Sequence, residues 1–197
     1  MPPDMPPQTP PHTSTDGAGL RLFFALWPQP ALRALLAQHM QAWRFTPPAK
    51  PTLPDKLHLT LLFMDGVPEA RLQDLVGIGA KVASAAQPFA LHLDQAAVWP
   101  QGGIAHLAAG HLPRELLALR TALAQAAEQA GIDCDQRAFR PHVTLARHAQ
   151  ASHAPQAFAP ITWPAAELSL VQSMLGSGRY AVLDRWALRP GIRPMAG

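Results

Sequence analysis

Leu57-His58-Leu59-Thr60-Leu61 is matched, 84 residues later, by His142-Val143-Thr144-Leu145. Successive side chains of a β-strand point to opposite faces, so each stretch predicts a strand with an imidazole and a hydroxyl on one face. The branched apolar residues between them point into a core. Two such strands, side by side in one cleft, would bring two histidines and two threonines into one small volume.

The rest of the chain mixes strands and helices without regular βαβ alternation, which predicts an α+β fold with antiparallel pairing. Periodicity and proline or glycine boundaries predict helices at 30–43, 68–86 and 113–130, the last closed by Gly131. The predicted strands are 20–27, 57–63, 89–93, 96–99, 104–108, 142–146, 167–174 and 179–188. Gly102-Gly103 and Gly176-Ser177-Gly178 are predicted turns, and the prolines of 44–56 predict a stiff extended loop.

Composition bounds the number of domains. The chain has 197 residues, 48% of them hydrophobic and only 15% charged, which excludes a large multidomain machine and disorder throughout. Six of the 22 prolines lie in the first eleven residues. We therefore expect a disordered Pro-rich tail at 1–19, one domain at 20–190 and a short C-terminal tail at 191–197.

The sequence contains neither an apolar run of membrane-spanning length nor the pattern of a signal peptide. Its one cysteine, Cys134, has no second cysteine for a disulfide or a zinc site. We expect a monomer in the reducing cytoplasm, with no membrane partner.

Charge is distributed unevenly along the chain. The net charge is +3, and residues 137–197 hold seven arginines against two acids. An anionic ligand would be drawn to this part, and the planar guanidinium suits phosphate. An Arg-rich surface without a ligand has the same composition, so both interpretations stay open.

The two His-x-Thr strands suit an in-line displacement at phosphorus. One histidine would take a proton from the attacking oxygen, the other would protonate the leaving oxygen, and the threonines would donate to the non-bridging oxygens. An ordinary imidazole pKa of about 6.5 allows either role near neutral pH. This chemistry requires no metal or other cofactor.

The alternative for each motif is a histidine that merely hydrogen-bonds within a half-buried strand. With nine histidines in the chain a single match means little, whereas two matches in apolar strands favour a function. His92 and His106 are interpreted as packing or surface residues. The remaining histidines show no partner pattern, and no His-x-His, HExxH or Cys/His spacing indicates a metal site: His12, His39, His111, His148 and His153.

With these motifs the chain resembles the 2H phosphoesterase superfamily, and within it the RNA 2′,3′-cyclic phosphodiesterases of the LigT/ThpR type, also called 2′-5′ RNA ligases. Residues 22–28 are similar to the family's opening strand, residues 57–68 to its first motif, and Arg140-Pro-His-Val-Thr-Leu-Ala-Arg147 to its second. The resemblance covers about 20–188. Asp65 before Gly66, and His106 where the family often has an aromatic residue, depart from the family pattern.

The resemblance implies a bilobal fold with a pseudo-twofold repeat: two antiparallel sheets with outer helices around a central cleft, each lobe supplying one His-x-Thr strand. It also implies metal-independent hydrolysis of a 2′,3′-cyclic phosphate at an RNA or nucleotide end to a 2′-phosphomonoester. In this scheme His58 is the proton donor and His142 the proton acceptor, while Thr60 and Thr144 bind the phosphate. From the residues alone the two histidines are equivalent.

Arg147 matches the family's phosphate-contacting arginine. It lies an odd number of residues from His142, so a regular strand would turn it away, and it reaches the site only if the strand ends or bulges near Ala146. Phe139 is a candidate base-stacking residue, with simple packing as the alternative. Trp27 and Trp99 are assigned to the core.

Two other functions stay open. One is RNA 2′-5′ ligation, formally the reverse reaction with an RNA 5′-hydroxyl as nucleophile. The other is a non-catalytic module that binds RNA or nucleotides. Transfer-RNA halves, oligonucleotides and small cyclic nucleotides all offer the same reacting group, so the physiological substrate is not specified.

Overall fold

The computed structural model describes residues 19–174 and 178–189. The predicted tail 1–19, apart from Gly19, and the predicted tail 191–197 lie outside the described residues. So do Gly176 and Ser177 of the predicted turn. The helices are α1 (Pro30–Gln41), α2 (Leu72–Ala85) and α3 (Arg114–Gln129). The strands are β1 (Leu20–Leu26), β2 (Lys50–Pro51), β3 (Leu59–Val67), β4 (Phe89–Leu93), β5 (Gln95–Trp99), β6 (Ile104–Ala108), β7 (His142–Arg147), β8 (Ile161–Ala165), β9 (Glu167–Met174) and β10 (Arg179–Ala187).

The larger sheet is antiparallel and consists of two halves that meet at the two motif strands. Its order is β10-β9-β1-β3-β7-β6-β5, and β2 pairs with the end of β7. The halves join where Leu59 of β3 pairs with Val143 of β7. A second, smaller sheet pairs β4 with β8. The α+β fold with two antiparallel sheets is confirmed.

One face of the large sheet forms the main core. Leu22, Phe24 and Leu26 of β1 lie there, together with Leu59 and Val143, all fully buried. Buried residues of α2 and α3, among them Leu75 and Leu119, belong to the same cluster. The opposite face carries the histidines and threonines of both motifs and is called the site face below.

Both motif strands contain a β-bulge at the same place. Phe24 pairs with Leu62 but Ala25 with Thr60, so Leu61 is an extra residue in β3. In β7, Ala105 pairs with Ala146 but His106 with Thr144, so Leu145 is the extra residue. An extra residue reverses the alternation of faces from that point on. The two motif strands therefore repeat each other in backbone irregularity as well as in sequence.

The predicted elements are confirmed, with boundaries within a few residues of those expected. Gly131 closes α3 with φ +65°, and its N–H donates to the Glu128 carbonyl oxygen at 2.8 Å. Gly102 and Gly103, with φ of +81° and +59°, make the turn between β5 and β6. The prediction omitted β2 and β8, which contain Pro51 and Pro164. Proline demotes a strand prediction, and both strands pair on one side only, where proline is tolerated.

No helix among the described ranges has both the length and the apolar character needed to cross a bilayer.

Candidate active site

The motif histidines are held by the same hydrogen bond. Nδ1 of His58 lies 2.7 Å from the Lys56 carbonyl oxygen, and Nδ1 of His142 lies 2.7 Å from the Arg140 carbonyl oxygen. A carbonyl oxygen only accepts, so Nδ1 is the protonated nitrogen in the neutral form of each ring. Each histidine is left with Nε2 available to accept or deliver a proton.

The sheet junction brings the two motifs together on the site face. Leu59 and Val143 are cross-strand partners and point into the core. Continuing this antiparallel register by one residue each way sets His58 across from Thr144 and Thr60 across from His142. The two histidines and the two threonines thus alternate around the junction.

Three aromatic rings enclose His58. Trp27 stacks on it with ring centroids 5.1 Å apart and planes 6° from parallel. Phe23 stacks at 4.9 Å, and Tyr180 meets the ring edge-on at 5.2 Å. Trp27 is buried, as predicted, but it lies in a second cluster on the site face with Phe23 and not in the main core.

The surroundings of His142 are different. Trp99 approaches it edge-on at 4.6 Å, and His106 lies at 5.9 Å with the planes 81° apart. The prediction that Trp99 belongs to the core is wrong, because the ring is half-buried against His142 and His106. His106 packs as predicted, with 4% of its surface exposed, but it packs beside a motif histidine.

The bulge at Leu145 resolves the orientation of Arg147. Leu145 and Ala146 are both fully buried, so the alternation of faces reverses between them and Arg147 returns to the face of His142 and Thr144. The condition set by the sequence, a bulge near Ala146, is met. The same reversal in β3 puts Phe63 at the position that corresponds to Arg147.

Within the part of the chain that the structure describes, the groups assigned to phosphate binding form no hydrogen bond or salt bridge. This holds for the hydroxyls of Thr60 and Thr144 and for the guanidinium of Arg147. Lys50 of β2 lies directly across from Arg147. Two cations on neighbouring strands repel each other, so a bound anion would relieve the repulsion at this edge.

Burial and positive charge lower the pKa of both motif histidines. For His58 the pKa falls to about 4, mainly because burial penalises the charged ring, with smaller effects from the charges of His142 and Arg147. The Lys56 carbonyl opposes this change. Burial also lowers the pKa of His142, as do the charges of His106 and Arg147. In the ligand-free site both histidines are therefore neutral at physiological pH.

Phe139 is not among the rings around the two histidines. It is half-buried against the main core, and the guanidinium of Arg120 lies 5.7 Å from its ring centroid. Its role as a base contact remains a prediction, and these contacts favour the packing alternative.

Sequence reasoning missed five residues around the histidines: Phe23, Trp27, Trp99, His106 and Tyr180. Part of the signal was present, because Phe23 in β1 and Trp27 directly after it lie on one face, opposite Leu22, Phe24 and Leu26. Both faces of β1 are apolar, however, so alternation alone did not show which face carries the histidines.

Comparison with known proteins agrees with this geometry. The family model described as "2'-5' RNA ligase superfamily" matches residues 28–174. The chain belongs to this superfamily, which confirms the resemblance drawn from its two motifs.

Similar proteins match over most of their length. An RNA 2′,3′-cyclic phosphodiesterase of Escherichia coli is 34% identical over 85% of this chain and 96% of its own. One of Thermus thermophilus is 32% identical over 89% of this chain and 98% of its own. The crystal structure of E. coli LigT complexed with 3′-AMP has a TM-score of 0.76 and 31% identity, covering 86% of this chain and 98% of that one.

Proposed function

We propose that this protein hydrolyses 2′,3′-cyclic phosphates at RNA or nucleotide ends to 2′-phosphomonoesters. The observation that carries the proposal is the matched pair of histidines, each with Nδ1 held by the carbonyl two residues earlier. Two imidazoles with free Nε2 atoms, next to threonine hydroxyls and an arginine, form an acid–base pair around a phosphate site. The names of the similar phosphodiesterases support the same reaction.

The reaction requires two proton transfers, one on each side of the phosphorus. A water oxygen attacks the phosphorus, and its proton passes to Nε2 of His142. The bond from phosphorus to the 3′ oxygen breaks, and that oxygen receives a proton from His58. The 2′ ester bond stays intact, which leaves a 2′-phosphomonoester and a free 3′-hydroxyl.

Thr60, Thr144 and Arg147 would stabilise the non-bridging oxygens as negative charge increases on them. Hydrogen bonds from ionised or preorganised donors are strongest where charge develops in the transition state. The half-buried threonines are fixed in strand positions before substrate arrives. Little reorganisation is then needed during the reaction.

His58 acts as the proton donor after the substrate has raised its pKa. In the ligand-free site its pKa of about 4 leaves the ring almost entirely neutral. An anionic phosphate next to the ring favours the imidazolium. Trp27, face to face with the ring, also interacts favourably with the charged form.

The direct test is cleavage of an oligonucleotide that ends in a 2′,3′-cyclic phosphate, with EDTA present. We expect the 2′-phosphomonoester to form at an undiminished rate. Absence of this product, or its loss on chelation, rejects the proposal.

Variants assign the roles of the histidines. His58→Ala and His142→Ala are each expected to reduce kcat by about 10²–10⁴-fold, the usual contribution of general acid or base catalysis. His92→Ala is the matched control, because His92 lies on β4 and contacts Thr162. A variant at His58 or His142 that folds and keeps full turnover refutes the role of that residue.

RNA 2′-5′ ligation is the second candidate, favoured by the description of the matching family model. It uses the same groups in reverse, with an RNA 5′-hydroxyl in place of water. Incubating RNA halves with 2′,3′-cyclic and 5′-hydroxyl ends would reveal it as a longer product. Binding of the cyclic end without either product would instead indicate a non-catalytic module.

A further inference from the structure

A third histidine is held in the same way as the two motif histidines. Nδ1 of His106 lies 3.1 Å from the carbonyl oxygen of Ile104, again two residues earlier in the chain. Its neutral ring therefore carries the proton on Nδ1 and leaves Nε2 unprotonated, as in His58 and His142. His106 lies in β6 and belongs to neither His-x-Thr motif.

The register of the sheet puts His106 on the site face. It is the cross-strand partner of Thr144, and such partners point to the same side of a sheet. Trp99 contacts both neighbouring imidazoles, with ring centroids 4.2 Å from His106 and 4.6 Å from His142. His106 is 4% exposed, so it acts from behind the surface that a substrate would touch.

We propose that His106 is a positioning residue of the site, which holds the rings of Trp99 and His142 and controls the protonation of His142. This inference rests on the proposed function, in which His142 accepts a proton from water. His106 touches no reacting atom in this scheme and acts only through its two neighbours.

The electrostatics of the three rings support this role. Two imidazoles 5.9 Å apart in a buried setting resist carrying two positive charges. A proton on His106 lowers the pKa of His142, and Arg147 acts in the same direction from β7. His58, directly before β3, also lies on the site face, and the Tyr180 ring meets it edge-on. Burial lowers the pKa of His106 itself, and a proton on His106 opposes protonation of His142 as pH falls.

The test uses two substitutions that both remove the charge and each keep a different feature of the histidine. His106→Phe keeps an aromatic ring on Trp99 but cannot carry a charge, whereas His106→Asn retains an N–H donor for the Ile104 carbonyl. The pKa of His142 would be measured by an NMR titration of labelled histidine, and the pH profile of kcat/KM would be recorded on a cyclic-phosphate oligonucleotide. His92→Phe is the control.

We expect the pKa of His142 to rise in both variants, because the neighbouring charge is lost. The acid limb of kcat/KM moves to higher pH by the same amount, and His92→Phe shifts neither. An unchanged pKa of His142 in His106→Phe overturns the inference.

The NMR measurement does not depend on turnover. If the wild-type protein cleaves no cyclic phosphate but the pKa of His142 still rises, the proposed function fails and the control by His106 stands. If the wild type is active, and both His106→Phe and His106→Asn keep the wild-type pH profile of kcat/KM, the inference fails and the proposed function stands.

Discussion

Leu59 pairs with Val143 at the point where the two halves of the large sheet meet. Both side chains are fully buried, and each lies between the histidine and the threonine of its motif. This one cross-strand pair therefore relates the two motifs to each other and places all four polar side chains on one face. The geometry of the site depends on the packing beneath the junction.

Truncating Leu59 is expected to destabilise the protein strongly. Leu59→Ala would remove a fully buried side chain and lower the free energy of unfolding by about 2–5 kcal/mol. Urea denaturation measures the loss. Leu35→Ala is the matched control, because Leu35 in α1 is 51% exposed and its truncation should cost much less. Equal midpoints for the two variants would contradict the role of the junction in the core.

Removing Arg147 is expected to weaken phosphate binding and to change the pH dependence. Loss of a hydrogen bond from a charged donor costs about 1.5–3 kcal/mol, which predicts a fall in kcat/KM of about 10–100-fold for Arg147→Ala. Since Arg147 lowers the pKa of both His58 and His142, both pKa values rise in the variant.

A pH series of kcat/KM for Arg147→Ala checks both effects. Arg137→Ala is the control, because Arg137 is exposed and pairs with Asp135. Wild-type kcat/KM in Arg147→Ala would show that the bulge at Leu145 does not bring this side chain to the substrate.

Burial of neutral His58 predicts a loss of stability in mild acid. Its pKa is about 4 in the folded protein against 6.5 for an ordinary histidine, so between these values the unfolded chain binds more protons. The free energy of unfolding therefore falls as pH drops from 6.5 to 4, by about 3 kcal/mol from this residue.

His58→Phe isolates this contribution, because phenylalanine fills the same aromatic enclosure and does not titrate. Urea midpoints of the two proteins should diverge in favour of the variant as pH falls below 6.5. Parallel curves would mean that His58 is not buried in its neutral form.

Anion binding at the site is expected to take up a proton. Sulfate is a suitable probe, because it does not itself titrate between pH 4.5 and 7.5. A bound anion raises the pKa of His58 above its value of about 4, so sulfate affinity falls as pH rises through the new pKa. Calorimetry in buffers of different ionisation enthalpy measures the proton, and His58→Asn should show less uptake. Uptake equal to that of the wild type would assign the proton to another group.

Lys50 is expected to contact a substrate phosphate beyond the reacting one. It lies across from Arg147 and is exposed. For an oligonucleotide substrate, Lys50→Gln should raise KM. The slope of log KM against log salt concentration should fall by about one, because one fewer counterion is released on binding. For a mononucleoside 2′,3′-cyclic phosphate the effect should be small. Lys81→Gln in α2 is the control, and equal effects on both substrates would count against the contact.

Local sequence determined, in the described ranges, the three helices, eight of the ten strands and the polar face of each motif strand. Alternation within 57–61 and 142–145 depends only on backbone geometry, so the faces of His58, Thr60, His142 and Thr144 were predictable without knowledge of any neighbour. Prolines and glycines likewise marked the ends of elements, as Gly131 does for α3.

Tertiary structure decided what surrounds those four side chains. The bulges at Leu61 and Leu145 arise from pairing with β1 and β6, and the one at Leu145 brings Arg147 back to the site face. The contacts of Trp27 with His58, and of Trp99 and His106 with His142, depend on which strands become neighbours. A strand's own sequence specifies its two faces, whereas the partner strands determine which face meets the site and where the alternation breaks.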